Sequence, residues 1–260
     1  MDDLKGKVAI ITGGGYGIGK KIAEAYAALG LKIVLAARTV KALDETSALV
    51  KRAGAEALVV PTDVAKEADC ANMVARAVEI FGAVDILVNN AGISGPTSAI
   101  NEIELAQWEE TLNVNLTGAW LCAREALKVM GPRGQGNVLN ISSTAGRIGY
   151  ALRTPYVSSK WAMIGLTQTL AREWGPHGIR VNCICPGPVE GDRIDRVIRA
   201  RAQALKLTEE QVRRAMCSNA ALGRMVTEEE VARAAVFLTS AASSGITGQT
   251  LNVDAGYIMN

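Results

Sequence analysis

Short β-branched runs alternate with longer stretches in which apolar residues recur every three or four positions, and the alternation starts within the first dozen residues. A brief continuous apolar run suits a strand buried on both faces, and the helical recurrence suits a segment lying across it. Strands are predicted at Lys7–Thr12, Lys32–Ala37, Ala57–Pro61, Val84–Asn89, Asn137–Ile141, Arg180–Ile184 and Gln249–Val253. Helices are predicted near Gly17–Leu29, Val40–Ala53, Lys66–Phe81, Gln107–Met130, Pro155–Trp174 and Thr227–Leu238. This order predicts a doubly wound α/β fold, a seven-stranded and mostly parallel sheet flanked by helices. Two more helical patterns, near Arg193–Leu205 and Glu209–Cys217, interrupt the approach to the last strand and read as an insertion, a helical lid over about 190–224. With no repeat, low-complexity tract or linker, residues 1–260 are expected to form a single domain.

Composition narrows the partners. The 28 basic and 26 acidic residues leave a net charge of +2, too little to gather nucleic acid or an anionic membrane surface. No apolar run is long enough to span a bilayer, and the opening Met1-Asp2-Asp3-Leu4-Lys5 lacks the pattern of an export signal, so a cytoplasmic protein is expected. Five cysteines without CxxC spacing read as reduced thiols. The one histidine, His177, sits in a turn-like Gly-Pro-His-Gly, which leaves neither a histidine metal cage nor a serine–histidine–acid triad; no metal is expected.

The first strand runs into Thr12-Gly13-Gly14-Gly15-Tyr16-Gly17-Ile18-Gly19 and then into a helix. Glycines there permit a tight turn and let a pyrophosphate approach the N–H groups at the positive end of the helix. Further along, Tyr156 and Lys160 lie four apart on one helical face. A free phenol, with a pKa near ~10, is a poor proton donor near neutrality, and an adjacent ammonium favours its ionised form. Strand Asn137–Ile141 ends in Ser142-Ser143, from which a hydroxyl can donate to a substrate oxygen.

These motifs resemble those of the short-chain dehydrogenase/reductase family, classical type, and are similar to its 3-oxoacyl-carrier-protein reductase-like members; the family resemblance covers essentially the whole chain and is weakest between Glu190 and Arg224. The loop matches the family's Thr-Gly-x-x-x-Gly-x-Gly at Gly13, Gly17 and Gly19, with Gly15, Tyr16 and Ile18 completing the cofactor cradle; Asn89-Asn90-Ala91-Gly92 matches its Asn-Asn-Ala-Gly. The separation of Ser143 from Tyr156 is the family's, which selects Ser143 over Ser142. The resemblance implies a Rossmann-type domain, a catalytic set of Asn115, Ser143, Tyr156 and Lys160, and an adenine contact at Asp63-Val64. It also implies ribose contacts at Asn90, Ala91 and Gly92, a nicotinamide contact at Pro186, Gly187 and Val189, and a homotetramer or homodimer. Asp63 could instead, or as well, cap a helix beginning at Ala65. Where NAD-preferring members place an acid, this chain has Arg38, which can pair with a 2′-phosphate; NADP is expected, and reading Arg38 as a mere strand-end charge leaves NAD open. Two departures are Gly191 where threonine is frequent and Ala255 where glycine is common.

The expected activity is hydride transfer between nicotinamide and a ketone or secondary alcohol, on a small-molecule substrate. A 3-oxoacyl-thioester reductase and a catabolic alcohol or sugar-type dehydrogenase compete within that class. A dinucleotide-binding sensor without turnover is the alternative outside it, its usual mark being loss of Tyr156 or Lys160. The stretch Glu190–Arg224 carries an excess of arginine, which reads first as solvated helix faces and second as an anion site involving Arg213 or Arg214. Ser94, Gly95, Pro96, Arg153 and Thr154 are further candidates to line the substrate pocket.

Overall fold

The structure is a computed structural model and describes residues 2–259. Seven strands form one sheet: β1 (Val8–Thr12), β2 (Lys32–Ala37), β3 (Ala57–Pro61), β4 (Ile86–Asn89), β5 (Gly136–Ile141), β6 (Ile179–Pro186) and β7 (Thr250–Val253). Their order is β3-β2-β1-β4-β5-β6-β7 and every pairing is parallel, so the sheet is wholly parallel where the sequence predicted mostly so. The chain winds outward from β1 through β3, then returns to β4 on the other side of β1. That reversal opens a crevice at the carboxyl ends of β1 and β4, where ligands of such sheets bind.

Strand residues alternate between two cores, as the period of two requires. Val8 and Ile10 of β1, with Val34 and Ala36 of β2, meet Met73 and Val74 of α3 (Glu67–Phe81), Leu121 and Leu127 of α5 (Gly118–Met130) and Leu170 of α6 (Thr154–Trp174). On the opposite face, Ala9 and Ile11 with Ile33 and Leu35 meet Ile22 and Tyr26 of α1 (Gly17–Ala28), Leu43 of α2 (Val40–Arg52) and Val231 and Val236 of α9 (Glu228–Thr239). Tyr26 is fully buried between α1 and α9, and its hydroxyl is satisfied by Thr239 Oγ1 at 2.9 Å.

The predicted helix Gln107–Met130 is not continuous. It divides into α4 (Leu105–Leu112) and α5, joined through Asn113–Thr117 by one turn of wider π-helical bonding. The insertion is helical as expected, with α7 (Asp192–Leu205) and α8 (Glu209–Ser218) packing around their own cluster of Ile198, Ala202, Val212, Met216 and Met225. Among the described residues, no helix is long and apolar enough to cross a membrane. His177 is exposed beside Trp174; Cys70, Cys122, Cys183 and Cys185 are buried free thiols and Cys217 is half-buried.

Candidate active site

A cavity of about 810 Å³ occupies the crevice, walled by the strand ends on one side and by α7 on the other. Its floor begins at the turn from β1 into α1. The turn is folded tightly enough to call for glycine: Gly13 and Gly17 have φ of 67° and 57°, and a Cβ on Gly19 would lie 2.4 Å from both the Gly13 carbonyl and Asn90 Nδ2. Gly13, Gly15, Tyr16, Gly17 and Ile18 line the cavity, whereas Gly19 lies beneath the loop and supports it. The N-cap Tyr16 makes no side-chain cap bond, and the first turn of α1 holds no acid, so its N–H groups and its positive end are left for an anion. These residues fit a dinucleotide pyrophosphate.

Thr12, which the sequence reading passed over, stitches the loop to β4. Its hydroxyl accepts from the Asn90 and Ala91 N–H groups at 3.0 and 3.1 Å and donates to the Val88 carbonyl at 3.2 Å. Asn90 Nδ2 returns the link by donating to the Thr12 and Gly13 carbonyls. Asn90, Ala91 and Gly92 then run along the cavity wall, as do Pro186, Gly187 and Val189 from the end of β6. Arg38 lines the far end, exposed and, among the described residues, in no ion pair. Asp63 and Val64 line it too. Asp63 is not the helix cap that was its alternative: α3 starts at Glu67 with Lys66 as N-cap, and Asp63 Oδ1 accepts instead from Ala65 N in a tight turn.

The other end holds Ser143, Tyr156 and Lys160. Ser142 Oγ donates to the Lys160 carbonyl at 2.8 Å and so serves as a strut for α6. Ser143 Oγ accepts from Ala145 N at 3.1 Å, and its hydroxyl is directed at the Tyr156 phenol on the cavity wall. Lys160 Nζ, almost wholly buried, donates to the Ile141 carbonyl at 2.8 Å and lies 5.8 Å from the centre of the Tyr156 ring. Burial pushes the Tyr156 phenol up, but Lys160, Arg193, the Ser143 hydroxyl and Arg153 together outweigh it and hold the phenol below its ordinary value. Burial lowers Lys160, against the opposing pull of Tyr156.

Asn115 sits in the π-helical turn, fully buried and just outside the cavity wall. Its Oδ1 accepts from Ile93 N at 2.8 Å, and its Nδ2 donates to the Ile93 carbonyl and to Ser159 Oγ. No hydrogen bond joins its side chain to Lys160, but both flank Gly92, where an added Cβ would lie 3.0 Å from Asn115 Oδ1 and 3.7 Å from Lys160 Nζ. Asn115 thus fixes the chain beside Lys160.

Of the suggested pocket-lining residues, Arg153 lines the cavity; Ser94, Gly95, Pro96 and Thr154 do not. Arg153 donates to the Ser94 carbonyl at 2.9 Å and stacks its guanidinium over the Tyr156 ring, 4.9 Å from the centroid. Sequence reasoning missed Arg193 and Arg201 of α7 and Glu228 of α9, all on the cavity wall. Arg193 reaches across to donate to the Gly92 carbonyl at 3.1 Å. A signal was present in the spacing Arg193–Val197–Arg201, which puts both cations on one helical face next to the row of half-buried Ile194 and buried Ile198 and Ala202.

Residues 13–258 match the family model described as enoyl-(acyl carrier protein) reductase. An uncharacterized oxidoreductase of Thermotoga maritima is 39% identical over 254 residues, 98% of each chain. The crystal structure of an NAD+-bound xylitol dehydrogenase superposes with a TM-score of 0.95 at 30% identity, covering 97% of this chain and 99% of that one. An actinorhodin polyketide ketoreductase variant determined with NADPH gives 0.93 at 34% identity, covering 96% and 97%. Sheet order, motif positions and these likenesses agree: the chain belongs to the short-chain dehydrogenase/reductase family of oxidoreductases, enzymes that act on CH–OH and C=O groups.

Proposed function

We propose that the chain moves a hydride between NADP(H) and a ketone or secondary alcohol, with Tyr156 as general acid in reduction and general base in oxidation. One observation carries this reading: on the cavity wall, a phenol held below its ordinary pKa by a buried lysine, with a serine hydroxyl hydrogen-bonded to it. A group that trades protons near neutrality is what the oxygen of a carbonyl or alcohol needs as its carbon changes oxidation state. Ser143 donates to that oxygen and stabilises the charge it gains. Lys160 keeps a positive charge beside Tyr156, and Asn115 holds the backbone that confines Lys160.

The loop from Gly13 to Gly19 would hold the pyrophosphate, Arg38 the 2′-phosphate, and Asp63 with Val64 the adenine. Asn90, Ala91 and Gly92 would flank the ribose, and Pro186, Gly187 and Val189 the carboxamide. When bound, the cofactor supplies the hydride in reduction and accepts it in oxidation. One solved relative binds NAD+ and another NADPH, and Arg38, in no ion pair among the described residues, favours NADPH here. We further propose a single catalytic domain with residues 190–224 as its substrate lid, supported by the separate apolar cluster beneath α7 and α8. Assembly as a homotetramer or homodimer is supported by the exposed Trp120 and Trp161 on α5 and α6, and a cytoplasmic setting by the unlinked thiols.

The test is a panel of ketones and secondary alcohols assayed with NADPH and NADH, comparing wild type with Tyr156→Phe. The variant is expected to lose about 10²–10⁴-fold in kcat while still binding NADPH. Full activity without the hydroxyl would refute the reading.

A further inference from the structure

Resting on the hydride-transfer reading, we infer that the substrate carries a carboxylate of its own, bound by Arg153 and Arg201 at the lid end of the cavity. The arginines of this region fall into two groups. Those facing outward are neutralised within the protein: Arg199 by Glu209 at 3.6 Å, Arg213 by Asp195, Arg214 by Glu210 at 2.6 Å and Arg224 by Glu230 at 2.7 Å. Those lining the cavity, Arg153, Arg193, Arg196 and Arg201, make no ion pair among the described residues. The anion site imagined from sequence at Arg213 or Arg214 is therefore misplaced, because both of those spend their charge on the surface.

Arg153 is the least ordinary of the four. Only 6% of it is exposed, its charge meets no carboxylate, and its Nε is buried without a hydrogen-bond partner. Its contacts are a neutral carbonyl and an aromatic face. The charged groups acting on it are Tyr156, Arg193 and Arg201, two of them cations. A buried guanidinium in that company lacks the partner that usually makes such burial tolerable. Leu152, just before it, takes the left-handed φ of 65°, so the chain adopts an uncommon conformation at the point where this side chain enters the cavity.

The acids on the cavity wall lie elsewhere. Asp63 follows β3, Glu228 abuts Gly17 and Gly191, and Glu190 and Asp192 bracket the start of α7. Around Arg153 and Arg201 the wall is instead Tyr150, Met216 and Tyr257. Two unpaired guanidinium groups on an aromatic and thioether wall beside a proton-trading phenol suit a small apolar skeleton with a carbonyl at one end and a carboxylate at the other. Arg193 already donates to the Gly92 carbonyl, and Arg196 is open to solvent, so neither is assigned to this carboxylate.

The enzyme with NADPH is offered 4-oxopentanoate and 4-oxocyclohexanecarboxylate, the methyl ester of each, and cyclohexanone. For at least one pair the acid should exceed its ester in kcat/KM by about tenfold or more, the difference lying in KM. Arg201→Met should bring that ratio toward one, Arg201→Lys should restore part of it, and Arg153→Met should bring it down and also move the pH profile. Arg213→Ala, on an outward-facing residue, should keep the wild-type ratio. Wild type that handles esters as well as acids, or an Arg201→Met that weakens acid and ester equally, overturns the inference while the hydride-transfer reading stands. Failure of wild type on every carbonyl, cyclohexanone included, removes that reading and this inference with it.

Discussion

The two ends of the cavity are built from different material. At the loop end, recognition is made by backbone: a turn whose shape is fixed by Gly13, Gly19 and the Thr12–Asn90 stitch, pressed against a parallel sheet. At the other end the proposed recognition is by side chains, Arg153 ahead of α6 and Arg201 on α7, the latter helix packing with α8 around a small cluster of their own. Backbone that approaches another chain within contact distance tolerates no added atom, whereas long side chains on a helix can be exchanged with little effect on the fold. The loop end therefore suits a part of the ligand that does not vary, and the lid end the part that does.

Three perturbations press on that contrast. The largest effect is expected from Gly19→Ala, whose methyl carbon would meet the Gly13 carbonyl and Asn90 amide at 2.4 Å. Overpacking of this kind costs about 1–3 kcal/mol, and the loop must shift to relieve it. Fluorescence titration should show NADPH affinity falling by about 100-fold or more, with a lowered melting temperature; unchanged affinity would mean that the loop is not the rigid element described. Next comes Arg38→Asp, which replaces the uncommitted guanidinium with a repelling carboxylate. Charge-assisted bonds of about 1.5–3 kcal/mol would be lost, so kcat/KM for NADPH should drop by about tenfold to 100-fold while NADH is spared. An unaltered preference would overturn the assignment of NADP.

The smallest effect is expected just after α8. Arg224 donates to both Glu230 oxygens, and with the Thr227 backbone it holds the Glu230 carboxyl down at about 2 against an ordinary 4.5. A depressed carboxylate stabilises the fold above its unfolded pKa and loses that contribution as pH falls through the folded value. Arg224 is exposed and Glu230 partly so, so solvent screens the pair: Arg224→Ala should lower the melting temperature at pH 7 by only about 1–2 °C, and the gap to wild type should close as pH drops from 4.5 toward 2. A gap that persisted in acid would assign the effect to packing instead of charge.

The same contrast explains what could be read in the chain beforehand. The glycine loop, the Asn89–Gly92 string and the Tyr156–Lys160 pair are local patterns, carried by neighbours in sequence or by one helical turn, and strand limits shifted by at most two residues at either end. Choosing Ser143 over Ser142 needed only a spacing, and the structure gives Ser142 a separate task on the Lys160 carbonyl. Arg153 and Arg201 were not legible as a pair because 48 positions separate them and because arginines at 199, 213 and 214 look the same in sequence. Which of them turns inward depends on how α7 docks, and that is settled by Ile198 and Ala202 pressing on Met216 and Met225. The break at Asn113–Thr117 was hidden for a similar reason, since a wider turn there costs little locally and is chosen by what surrounds it.

That wider turn also sets the length of the segment it interrupts. One residue more than a regular helix would need is accommodated between Leu105–Leu112 and Gly118–Met130, so the two halves are rotated by about 100° relative to a straight rod. The first half can then lean on α6 while the second presses Leu121 and Leu127 against α3. Delete a single amino acid between 113 and 117 and a regular helix could join the two halves on the same faces; what would go is the bulge that holds Asn115 against Ile93 and Ser159.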